Sequence, residues 1–142
     1  MTEYTIFEYI NKWFDTDFIL ADDEYSSYDG EEQRYIGEIK VRNKFYNEQL
    51  IEYEKLMHNV YEAKYRNKDF LYIVVVNPNI YVFNITKLLK DGYDFKWSYR
   101  EMPKNSHFGG KDDRVLKQVG YIKTSVGTTI HDNARELEKA DD

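Results

Sequence analysis

No cysteine occurs among the 142 residues, which excludes disulfide staples, thiolate zinc sites and a cysteine nucleophile together. Only two prolines and seven glycines are present. With no internal repeat and no linker rich in them, the chain reads as one domain over residues 1–126 and a polar tail over 127–142. The longest apolar run, "FLYIVVV" at 70–76, is far too short to span a bilayer. The start, "MTEYTIFEYINKW", lacks a basic n-region, so no signal peptide, no membrane association and a cytoplasmic location are expected. His58, His107 and His131 are scattered without paired spacing, which argues against a histidine-built metal site. "GGK" at 109–111 lacks the remainder of a phosphate loop and reads as a turn.

What the chain has instead is charge and aromatic bulk. Nearly a third of it is charged and it carries 14 Tyr and 8 Phe, so it is neither disordered nor collagen-like. The net charge of −6 argues against an indiscriminate polyanion binder. Its distribution says more. Residues 1–32 hold one basic and ten acidic side chains, whereas 33–68 hold eight basic and five acidic, and 95–123 hold seven and three. The middle of the chain is basic, and a nucleic-acid partner stays open.

Apolar spacing predicts an opening amphipathic helix, with Thr2 as N-cap and Ile6, Phe7, Ile10, Trp13 and Phe14 on one face. A short strand at Phe18–Ala21 leads into an acidic, serine-rich extended segment ending near Asp29. "RYIGEIKVRN" at 34–43 then reads as a strand. "FYNEQLIEYEKLMHNVYEAKYRN" at 45–67 is expected to be one long helix, with Tyr46, Leu50, Tyr53, Leu56, Met57, Val60 and Tyr61 as its apolar stripe. "DFLYIVVV" is apolar on both faces, as a covered central strand is. "NPN" turns into the strand "IYVFNI", and "TKLLKDG" gives a short helix starting at Thr86 and stopped by Gly92. A loop with Pro103 and the glycine pair precedes a late strand in "RVLKQVGYI". The order is α-β-β-β-α-β-β with a late strand: a mixed central β-sheet flanked by helices, in the α/β (α+β) class.

The strand at 34–43 poses the functional question. With a side-chain period of two, Ile36, Glu38, Lys40 and Arg42 share one face. A carboxylate and an ammonium on one face point at one small volume. That pairing suits metal-dependent hydrolysis of a phosphate ester: the carboxylate helps hold a hard cation, and the lysine orients water or stabilises developing negative charge. A second carboxylate is needed, and Asp29 stands at the end of the preceding extended segment. Glu-x-Lys alone is a weak signal. "EAK" at 62–64 lies on a predicted solvated helix face, "DFK" at 94–96 sits beside a loop, and an exposed strand pair of this kind contributes only ~0–1 kcal/mol.

Asp29, Glu38 and Lys40 together resemble the motif of the PD-(D/E)XK, or restriction-endonuclease-like, nuclease superfamily, in particular its small phage-type members. No proline precedes Asp29, and Asp23 or Glu24 would give a longer spacing to Glu38; Asp29 is preferred because Tyr28 and Gly30 suit a strand end. The resemblance, over roughly residues 3–122, implies a restriction-endonuclease-like fold and a Mg²⁺- (or Mn²⁺-) dependent DNA endonuclease. Asp29 and Glu38 would bind the metal, Glu8 of the first helix would add a further carboxylate (Glu3 being the weaker candidate), and Lys40 would position water. Arg42, Lys44 and Lys55 would contact phosphates, and a polar helix residue near the site would be Lys55 or Gln49. The basic 95–123 segment would hold flanking duplex. It further implies duplex or branched DNA as partner, a possible homodimer, and the host cytoplasm if the source is a phage. Two other readings compete. One is the same fold with an inactive site, serving as a DNA-binding or protein-interaction module. The other is an acidic adaptor, in which Glu38 and Lys40 face bulk solvent. "YDFKWSYR" at 93–100 could stack on bases, but core or edge packing is the simpler role for Trp97 and Tyr99.

Overall fold

The computed structural model describes residues 2–23, 26–104 and 114–130. Glu24, His107, the 109–111 turn, His131 and the tail beyond 130 lie outside the described residues. The chain forms a mixed α+β fold with two sheets. Helix α1 (Glu3–Phe14) leads to the short strands β1 (Ile19–Leu20) and β2 (Gly30–Glu31), then β3 (Tyr35–Val41), β4 (Glu48–Glu52), α2 (Tyr53–Tyr65), β5 (Asp69–Val76), β6 (Asn79–Asn84), α3 (Ile85–Lys90), β7 (Ser98–Pro103), β8 (Arg114–Lys123) and β9 (Thr128–Ile130). The larger sheet runs β1-β2-β3-β5-β6-β9 and the smaller one β4-β8-β7.

Strand β3 pairs in parallel with β5 through seven register pairs, from Tyr35 with Asp69 to Val41 with Val75, and antiparallel with β2 on its other edge. A parallel pair needs a crossover, and α2 supplies it. The two faces of this ladder feed two cores. Ile39, Leu71, Ile73 and Val75 pack with Ile6, Phe7 and Ile10 of α1. Ile36, Phe70, Tyr72 and Val74 pack with Leu56 and Ala63 of α2 and with Ile51, Phe95 and Ile122 around the smaller sheet. Helix α1 begins as expected, with Thr5 N–H donating to Thr2 Oγ1 at 3.0 Å. Trp13, expected on its buried stripe, is exposed instead.

The long helix expected over 45–67 is divided. Residues 48–52 form β4, in which Gln49 and Ile51 are buried while Glu48, Leu50 and Glu52 are not. This period of two was masked because Tyr46, Leu50 and Tyr53 also satisfy helical spacing. Tyr61, expected on the apolar stripe, is exposed. Strand β7, expected as loop, closes the smaller sheet as its edge. Only an edge accepts Pro103, which lacks a donor. Helix α3 is capped by Asn84, whose Oδ1 accepts from Lys87 N, while Thr86 Oγ1 accepts from Phe70 N and ties the helix to β5. The polar tail does not start at 127: Thr128–Ile130 extends the main sheet beside β6, with Ile130 fully buried.

Gly30 is required by close approach. A Cβ there would lie 2.5 Å from the Phe7 ring and 2.9 Å from the Ile19 carbonyl oxygen. The Gly30→Ala protein is expected to lose about 1–3 kcal/mol, read as a lower urea midpoint with an unchanged slope; an unaltered midpoint would contradict this packing.

Candidate active site

The residues singled out in the sequence stand on three adjoining elements. Asp29 precedes β2, just past the last antiparallel pair, Gly30 with Gly37. Its N–H donates to the Gly37 carbonyl at 2.8 Å, and its Oδ2 accepts the Ile39 N–H at 2.7 Å. Asp29 therefore straddles Glu38, bonded to the backbone on either side of it. Asp23 stands in the preceding turn, where its main-chain carbonyl accepts from Ser26 N.

Glu38 does not face bulk solvent, contrary to the expectation of the adaptor reading. It lines a cavity of about 200 Å³ bounded by Lys40 of β3, Arg42 just after that strand, Leu50 and Glu52 of β4, Lys55 of α2 and, among others, Met102 of β7. Burial first, and then the charge of Asp29, raise its pKa to about 7 against the opposing influence of Lys40, Lys55 and Asn59. Asn59 Nδ2 donates to Glu38 Oε2 at 3.2 Å. Asn59 is itself buried, and its Oδ1 finds no hydrogen-bond partner among the described residues.

Lys40 is exposed and on the Glu38 face, its charge close enough to favour the carboxylate, although no ion pair joins the two among the described residues. Arg42 bonds to the hydroxyl of Tyr72, whose pKa burial pushes up to about 12. Lys55 pairs with Glu52 at 2.9 Å, and Lys117 of β8 reaches the other Glu52 oxygen at 2.7 Å. The two lysines hold the Glu52 carboxyl below the ordinary carboxylate range, although burial opposes them.

The structure places three further candidates away from this cavity. Glu8 does not join Asp29; it accepts from Tyr4 Oη at 3.0 Å on the exposed side of α1. The first helix contributes Glu3, which shares a hydrogen bond with Asp29 and whose pKa is raised by burial and by that neighbour. Gln49 is in β4 rather than on the helix, and its Nε2 donates to Thr124 Oγ1 and the Tyr46 carbonyl in the interior. Lys44 lies beyond the end of β3 over the Tyr46 ring and does not line the cavity. Lys40, Arg42 and Lys55 do line it.

Asn59, Glu52 and Met102 were not singled out from the sequence. Asn59 had a signal, being polar and one helical turn from Leu56 and Ala63 on the buried face of α2. Glu52 and Met102 had none, because they reach the cavity only through the pairing of β4 and β7 with β8.

Among the described residues, no group of three His, Asp or Glu side chains is close enough to hold an ion by itself. Glu38 and Glu3 nevertheless each have a pKa raised first by burial and then by the Asp29 charge. Crowded carboxylates of this kind fit a divalent cation that takes one or two protein oxygens and completes its shell from water and phosphate.

Because the folded protein favours neutral Glu38, this group's contribution to stability is greatest below its ordinary pKa of 4.5 and is lost as pH rises through about 7. In metal-free buffer, Glu38→Gln should therefore gain on the wild type by about 3 kcal/mol between about pH 4.5 and about pH 8; urea unfolding at each pH measures it, and a constant difference would refute it. Asn59→Leu removes a donor to the carboxylate and should raise the Glu38 pKa further, seen as a later titration of its carboxyl ¹³C resonance. No protein-family model matches the chain, and neither the curated proteins nor the solved structures yield a match.

Proposed function

We propose that the chain is a metal-dependent phosphodiesterase acting on DNA, of the restriction-endonuclease-like class. The observation that carries this reading is the position of Asp29, bonded to the backbone on both sides of a partly buried Glu38 whose strand presents Lys40 two residues on. The order of elements gives further support: an opening helix, a hairpin carrying both carboxylates, a crossover helix, and a strand returning parallel to the motif strand.

In this reading Asp29 and Glu38 would hold a Mg²⁺ or Mn²⁺ ion, which would stabilise phosphate charge and lower the pKa of a bound water. Asn59 helps to orient the Glu38 carboxylate through its hydrogen bond to Oε2. Glu3 stands beside Asp29, its own pKa raised by burial and by that neighbour. Lys40 is free of an ion pair among the described residues; it orients the attacking water and stabilises negative charge developing on the phosphate. Arg42 and Lys55 hold phosphate oxygens along the same wall. One such site cuts one strand, so cleavage of both strands of a duplex would take two copies.

A second reading, the same fold as a binding module without catalysis, is favoured by the absence of a closed three-carboxylate group among the described residues. The two separate on cleavage of supercoiled plasmid and of a four-way junction with Mg²⁺ or Mn²⁺. Wild type should cut, and Glu38→Ala and Lys40→Ala should each lose at least about 10²-fold in rate. Intact DNA throughout, with all three proteins folded and binding it alike, would establish the module instead.

A further inference from the structure

We infer that the cleft between β3 and the smaller sheet is a subsite for one unpaired nucleotide of a DNA strand, with its phosphate on Lys40, Arg42 and Lys55 and its sugar and base against Leu50, Leu56 and Met102. The inference deepens the phosphodiesterase reading and rests on it for the identity of the polymer. The lining mixes chemistry as a nucleotide does, with the cations Lys40, Arg42 and Lys55 and the apolar Leu50, Leu56 and Met102 in one cleft with Glu38.

Size sets the substrate class. The cavity holds about 200 Å³, less than the ~300–1,000 Å³ of pockets that enclose drug-sized ligands, so it takes one nucleotide in part and no more. A duplex, whose grooves alone are about 6 and 12 Å wide, cannot enter it. Glu38 lines the cleft and is largely shielded from solvent, so a phosphodiester comes up to it most readily where the strand is unpaired, as at an end, a flap or a junction. The cleft also resists spreading. Glu52 bonds to Lys55 of α2 and to Lys117 of β8, tying the helix to the middle strand of the smaller sheet, and the Lys117–Glu52 half of that tie is largely shielded from solvent.

The test is binding in Ca²⁺, which allows association to be read without depending on turnover. Fluorescence anisotropy would compare a labelled oligothymidine strand with a blunt hairpin duplex, with thymidine monophosphate as competitor to distinguish a strand site from a free-nucleotide site. The strand is expected to bind at least tenfold tighter than the duplex, with the monophosphate competing only weakly. Met102→Trp and, separately, Leu50→Phe fill the cleft from two different strands, and each should weaken strand binding at least tenfold while far-ultraviolet circular dichroism and the thermal midpoint report a folded protein. Equal affinity for strand and duplex, or folded filled variants that bind the strand as the wild type does, would overturn the subsite. Monophosphate competing as well as the strand would also overturn it, in favour of a free-nucleotide site. Strand binding that the filled variants lose, with no cutting under any metal, would uphold the subsite while removing the hydrolytic reading. Cutting of a closed relaxed circle as fast as of an overhang would do the reverse.

Discussion

The parallel ladder between β3 and β5 is the constraint on which the rest of the structure depends. Its seven pairs are covered on one face by α1 and on the other by α2 and the smaller sheet, so most of the apolar side chains along it are assigned to one core or the other. A one-residue slip would exchange those assignments and drive Glu38 into the α1 core in place of Ile39. Burial on both faces fixes the register strongly, and a fixed register is what holds a carboxylate at one depth. Asp29 adds a local lock, since its side chain takes the Ile39 N–H beyond the point where the β2 ladder ends.

That placement sets two demands against each other. Folding favours a neutral Glu38, because the cavity removes water from it and Asp29 adds like charge. Charge chemistry at the same point needs the carboxylate. The surroundings reduce the conflict without removing it: Lys40 and Lys55 lie near, and Asn59 donates one hydrogen bond while its own carbonyl has no partner among the described residues. A polar side chain incompletely satisfied in the interior is unfavourable to the fold alone, and such exceptions concentrate where structure has been subordinated to a site.

Much of this was legible in the sequence, for local reasons. The alternation in "RYIGEIKV" placed Glu38 and Lys40 on one face, the apolar run in "DFLYIVVV" identified the covered strand, and Thr2 marked the start of α1. What escaped was what depends on distant partners. Residues 48–52 satisfy both periods, and only the pairing with β8 decides for a strand. Strand β7 has a polar, exposed surface because it is an edge, so it offered no hydrophobic pattern to read. Glu3 and Glu8 share the first helix, and the choice between them turns on where the chain before β2 comes to rest, which no spacing within α1 encodes.

The smaller sheet also sets a timetable. Strand β4 is made early in the chain, but its partner β8 is made late: Gln49 and Thr124, bonded to one another in the interior, are 75 positions apart. The carboxylates, Lys40 and the crossover helix all belong to the first half of the chain, whereas Lys117 and Met102 arrive with the second. During synthesis the acidic hairpin can form while the opposite wall is still absent, and contacts of such long separation are slow to close. The chain therefore acquires its chemical groups before it acquires the enclosure around them, and the finished cleft is a property of the complete fold alone.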